Sequence, residues 1–144
     1  MSFLGLDFGE KRIGVARSDE LNLMAHPIGF IEARNEIYVA QEIQKLMDEF
    51  RIQKIVIGLP KTLKGETGLQ AEKVLSFSER LGKRLNCPIT TWDERLTTAQ
   101  AERALLAQDL SRAKRKMKRD AMAAEIMLQS YLDFIKNRNE NEHV

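Results

Sequence analysis

Phe3-Leu4-Gly5-Leu6-Asp7-Phe8-Gly9 is a short apolar run that ends in an acid and a glycine, and Arg12-Ile13-Gly14-Val15-Ala16 follows at once. Two such runs separated by a polar turn containing glycine read as a β-hairpin over 2–8 and 12–18, turning at Gly9–Lys11. Asp7 then stands at the end of a buried strand. A carboxylate there is costly unless a charge or hydrogen-bond donors face it. A divalent cation would serve, but so would the backbone N–H groups of the turn. Residues further along the chain have to decide between them.

A third strand over 25–32 follows. Pro27 lacks an N–H for a ladder, which puts it at a strand start or on an edge strand. Asn35 caps a helix whose apolar stripe is Ile37, Ala40, Ile43, Met47 and Phe50. Lys54-Ile-Val-Ile-Gly58 is continuously apolar, as in a parallel strand buried on both faces. After Gly58-Leu59-Pro60 and a polar loop, Thr67 and Gln70 have capping-box spacing and predict a helix over 68–85, with Val74, Phe77, Leu81 and Leu85 inward. Ile89-Thr-Thr-Trp92 is a fifth strand and stops at Asp93-Glu94-Arg95. Thr97 and Gln100 repeat the capping spacing ahead of a helix to about 108. A last helix spans about 113–136, with Met117, Ala121, Ala124, Leu128, Tyr131 and Ile135 in its stripe. Residues 1–136 form one domain, and 137–144 are expected to be a flexible polar tail.

The order β-β-β-α-β-α-β-α-α predicts an α/β fold. Three strands pair antiparallel by hairpins, and the later ones, reached through helices, run parallel. The result is a mixed five-stranded sheet with helices on both faces and the first strand at its centre.

Composition narrows the function. The chain has 144 residues, 43% hydrophobic and 31% charged, with one cysteine, two histidines and a net charge of +2. Cys87 alone makes no internal disulfide and suits a reducing cytoplasm. A Cys/His zinc site is excluded, so any metal must be held by oxygen, which favours Mg²⁺ or Mn²⁺. There is no membrane span and no signal-peptide pattern.

Acids occur in three places where the pattern does not expect them: Asp7, the Asp93-Glu94 pair, and Asp120 at the edge of the last helical stripe. In parallel sheets ligands gather beyond the carboxyl ends of strands. Asp7 and Asp93-Glu94 stand at such ends, and a neighbouring helix can present Asp120. Three or four carboxylates meeting there suit one or two hard cations able to activate water against a phosphodiester. Basic residues surround them. Arg112, Lys114, Arg115, Lys116, Lys118 and Arg119 precede Asp120, and Lys61, Lys64 and Arg95 fall in loops at the same sheet end. A cationic cluster opposes the dipole at a helix start, so phosphate binding is the better reason for it. No aromatic ladder for stacked bases is evident, because Phe8, Phe77, Trp92 and Tyr131 fall at core positions.

Four blocks occur in order: Leu6-Asp7-Phe8-Gly9-x-x-Arg12-Ile13-Gly14-Val15-Ala16, Val56-Ile-Gly-Leu-Pro60, Asp93-Glu-Arg-Leu-Thr-Thr98 and Asp120-Ala-x-Ala-Ala124. Together they resemble the YqgF (RuvX) family of Holliday junction resolvases with an RNase H-like fold. The resemblance covers Leu4 to about Leu132. It implies a metal-dependent nuclease of the bacterial cytoplasm that resolves branched DNA, trims the 5′ end of precursor small-subunit ribosomal RNA, or does both. By motif, Asp7 is the first-strand carboxylate and Asp120 the helical one. Between them the Asp93-Glu94 pair supplies another, either Asp93 or Glu94 as metal ligand, with Glu94 preferred and Asp93 then in support. Many RNase H-like nucleases carry an acid at the end of the fourth strand, where this chain has Gly58-Leu59-Pro60.

The partner is accordingly nucleic acid, RNA or branched DNA, and the chain is a monomer or weak homodimer. A non-catalytic nucleic-acid-binding module on the same scaffold is the alternative. Asp7-Phe-Gly-x-x-Arg-Ile-Gly14 also resembles the phosphate-binding hairpin of actin-like ATPases and sugar kinases, but these close a second domain over the nucleotide, and 144 residues leave no room for one.

Overall fold

A computed structural model describes residues 1–59, 68–94 and 119–142. Its elements are β1 (Ser2–Phe8), β2 (Arg12–Ser18), β3 (Ala25–Glu32), α1 (Glu36–Phe50), β4 (Ile52–Leu59), α2 (Leu69–Leu85), β5 (Ile89–Asp93) and α3 (Arg119–Glu142). The strands form one sheet in the order β3-β2-β1-β4-β5. β1 pairs antiparallel with β2, and β2 antiparallel with β3. β4 lies parallel to both β1 and β5. The hairpin and crossover logic therefore holds, and β1 is central.

The two faces of the sheet carry different cores. Leu4, Leu6, Ile13, Val15, Ile55 and Ile57 alternate onto one face and pack beneath α1 and α2 through Val39, Ile43, Val74 and Leu81. The other face presents smaller residues. Gly5 lies under α3, where an added Cβ would meet Leu128 Cβ at 3.0 Å, and Ala16 and Val56 pack with Ala124, Met127 and Leu128. Small side chains let α3 sit close to the strands, and burial of Met127 and Leu128 contributes about 2 kcal/mol each in that setting.

β3 is an edge strand and accommodates Pro27 at a register shift opposite Val15/Ala16. Asn35 caps α1, accepting from the Tyr38 N–H at 2.8 Å. Arg51 then ends the helix in the left-handed conformation.

Several boundaries differ from the sequence reading. Asn35 is the cap of α1 as expected, but Ile37 is exposed and Val39, which lies one turn from Ile43 on the same side, is buried in its place. The N-cap of α2 is Gly68, with no side-chain cap, so helix formation there rests on the buried Ala71, Val74 and Leu81; Thr67 lies outside the described residues. α3 continues through 137–142, past the end of its apolar stripe, where a polar tail is expected. The helix over 97–108 and the segment 113–118 lie outside the described residues. Among the described residues no helix is long and apolar enough to cross a membrane.

Candidate active site at the carboxyl end of the central strands

Strand register alone brings the acids to one face. Asp7 is two residues beyond Gly5 and shares its side of the sheet. Directly across the hairpin, Asp7 pairs with Gly14. An added Cβ on Gly14 would fall 1.9 Å from the Asp120 carbonyl oxygen. The start of α3 is thus seated in the space left by a missing side chain, on the strand next to Asp7.

The opposite neighbour repeats the device. One step beyond the Leu6–Ile57 pairing of β1 with β4 lies Gly58. A Cβ there would come 2.6 Å from Glu94 Oε1. Glu94 follows β5 directly and occupies the gap above Gly58, where its carboxyl is hydrogen-bonded to Asp7. Two glycines flank Asp7, and each admits one element that carries an acid.

Electrostatics follow from this crowding. The Glu94 carboxyl is pushed up to about 8, first by burial, then by its hydrogen bond to Asp7 and by the negative charges of Asp7 and Asp93. Two carboxyls in contact cannot both ionise cheaply, so near neutral pH the pair shares a proton, Glu94 O–H donating to Asp7. Asp93 sits opposite Leu59, whose side chain belongs to the α1/α2 core, so strand alternation turns it away from Asp7. The carboxylate of Asp120 meets the Arg12 guanidinium, Oδ2 lying 3.4 Å from Nε, while Arg12 also stacks over Phe30 at 5.2 Å.

The structure therefore brings Asp7 and Glu94 into contact and sets the backbone of Asp120 beside them. Among the described residues no three His, Cys, Asp or Glu side chains converge as one set of metal ligands. Fit to a hard divalent cation rests on the Asp7–Glu94 pair, two oxygen donors whose mutual repulsion such an ion would relieve. Of the predicted phosphate-binding residues, Lys61, Lys64, Arg95, Arg112, Lys114, Arg115, Lys116 and Lys118 lie outside the described residues, and Arg119 is placed only as the first residue of α3. The sequence reading missed Arg12 as the partner of Asp120, and Gly14 and Gly58 as the spaces that admit the acids. Their positions within the quoted blocks were the available signal.

Comparison with known proteins agrees with this architecture. The RuvX family model, described as Holliday junction resolvase, matches residues 1–134. A relative from Clostridium botulinum (strain Hall), named "Putative pre-16S rRNA nuclease", is 48% identical over 133 residues, covering 92% of this chain and 97% of its own. One of the same name from Clostridium kluyveri is 48% identical over 135 residues, covering 94% and 98%. Thermus thermophilus RuvC, solved with a Holliday junction substrate, superposes with a TM-score of 0.60 at 15% identity, over 93% of this chain and 96% of that one. The fowlpox virus Holliday junction resolvase gives 0.58 at 16%, over 92% and 99%. Those two likenesses concern the fold, a mixed five-stranded sheet of RNase H-like resolvase type. With near-complete coverage by the family model and by relatives at almost half identity, the chain belongs to the RuvX (YqgF) family.

Proposed function

We propose that this chain is a divalent-metal-dependent nuclease that hydrolyses phosphodiester bonds in nucleic acid. The observation that carries the reading is the Asp7–Glu94 pair, two carboxyls held in contact above Gly58 at the carboxyl end of the sheet. Such a pair raises its own electrostatic energy for no structural return, and a hard cation repays it. Asp7 and Glu94 would hold the ion with Asp93 in support, and Asp120, whose backbone α3 seats on the strand beside Asp7, would supply a third ligand. When bound there, Mg²⁺ or Mn²⁺ would supply Lewis-acid chemistry for hydrolysis of a phosphodiester, in which water attacks in line and the 3′-oxygen departs. Arg12 orients Asp120. Lys61, Lys64, Arg95 and the cluster from Arg112 to Arg119 hold the phosphate backbone.

Relatives at 48% identity named for pre-16S rRNA support precursor small-subunit ribosomal RNA as substrate, and the family resemblance adds cutting near its 5′ end. The family description supports branched DNA. The chain would act in the cytoplasm as a monomer or weak homodimer.

Cleavage of labelled precursor RNA, four-way junctions and plain duplexes, with Mg²⁺, Mn²⁺ or chelator, tests the proposal. Cutting is expected only with a divalent ion, and Asp7→Asn should abolish it while circular dichroism stays unchanged. Undiminished cutting by Asp7→Asn would reject the mechanism. Salt-sensitive binding without cutting in any condition would leave only a binding module.

A further inference from the structure

The acid pair is not the only feature on the α3 face. Toward the other end of β5, that strand and α3 enclose an open groove of about 690 Å³, lined by Lys54, Thr90, Trp92, Tyr131, Phe134 and Arg138 among others. β5 is the last strand of the sheet, so the groove lies along its edge.

Three aromatic rings run through it in sequence. Tyr131 meets Trp92 edge-on with centroids 5.5 Å apart, and Trp92 meets Phe134 at 5.2 Å. Trp92 and Tyr131 are buried, as their spacing predicts, but Phe134 is 48% exposed. An apolar ring half in water at the end of an aromatic row offers a free face. Lys54 is fixed at the floor, its ammonium 2.5 Å from Tyr131 Oη and 5.2 Å above that ring. Among the described residues the groove lining contains no acid, and the Lys54 ammonium suits an anionic occupant. Among the described residues Trp92 Nε1 is buried with no acceptor. Orphan donors of this kind are uncommon, and a base carbonyl or phosphate in the groove could supply the missing acceptor after a small shift of the rings.

We propose that this groove is a subsite for single-stranded nucleic acid leading away from the Asp7–Glu94 pair, with a base stacked on the open face of Phe134 and backbone phosphate beside Lys54. The proposal rests on the nuclease reading and adds to it the path of the strand. Trp92 in the groove lining pairs with Gly58, above which Glu94 sits, and this proximity to the acids favours a polynucleotide over an acidic peptide.

Trp92 is the only tryptophan in the chain, so its emission reports on the groove directly. Full-length Asp7→Asn protein, expected to leave substrate uncut, is titrated with a labelled eight-nucleotide RNA, with anisotropy giving affinity and tryptophan emission giving location. Cleavage by the unmodified protein is measured in parallel. Saturable quenching of Trp92 is expected, with affinity about tenfold weaker in a Phe134→Ala background and restored by Phe134→Tyr. Binding with unchanged emission and no effect of Phe134→Ala, while the unmodified protein still cuts, would overturn the subsite and leave the nuclease standing. Stronger quenching by an oligo-glutamate peptide than by RNA would overturn it in favour of a protein partner. Neither cutting nor binding by the unmodified protein would remove both readings together.

Discussion

Replacing Glu94 with Gln should stabilise the metal-free protein, and the gain should depend on pH in a definite direction. In the folded state the Glu94 carboxyl titrates at about 8 instead of 4.5. The folded protein therefore keeps a proton that the unfolded chain releases, and stability falls as pH rises from about 4.5 through about 8. Above that range the whole cost is present; below about 4.5 it is absent. The interval is about 3.5 pH units, which at about 1.4 kcal/mol per unit would amount to about 5 kcal/mol for a fully shielded group. Glu94 is partly open to water, and screening reduces this to about 2 kcal/mol. Glu94→Gln removes the charge and keeps a hydrogen-bond donor for Asp7. Urea unfolding in chelator at pH 5 and pH 9 measures the effect. The unmodified protein should lose about 2 kcal/mol relative to Glu94→Gln between the two conditions. Equal pH dependence in the two proteins would refute the electrostatic account of the pair.

Other consequences follow from the same geometry. Millimolar Mg²⁺ or Mn²⁺ should raise the melting temperature of the unmodified protein at pH 8 and leave that of Asp7→Asn unmoved, as read by differential scanning fluorimetry. Gly14→Ala should destabilise by about 3 kcal/mol in denaturant titration, because its Cβ meets a backbone carbonyl that cannot move without lifting α3. Gly58→Ala should cost less than about 1 kcal/mol, since the atom in its way ends a flexible side chain. By displacing the Glu94 carboxyl it should nevertheless abolish cleavage. A Gly58→Ala protein with full activity would show that Glu94 need not stand where it does.

Much of this architecture was legible in the residues. The hairpin from Ser2 to Ser18, the edge position of the strand with Pro27, and the parallel run from Lys54 to Gly58 are local patterns, written in alternation, turn glycines and breaks. The acids could likewise be singled out, because a carboxylate at the end of an apolar strand conflicts with its surroundings wherever that strand goes. Helix ends were less legible. Gly68 rather than Thr67 caps α2, since burial of Ala71 and Val74 sets that helix more strongly than capping chemistry does.

What the tertiary structure alone decided is which acids meet, and how. Nothing in the spacing between Asp7 and Glu94 says that β4 lies between their strands, nor that Gly58 falls in register to leave the gap that Glu94 fills. Likewise Gly14 becomes a seat for Asp120 only once β2 pairs with β1 and α3 closes over both, and Phe134 becomes an exposed ring beside Trp92 only once β5 ends the sheet. Residue type sets each side chain's chemistry, but contact between distant segments depends on register and close approach, which exist only after the strands have paired.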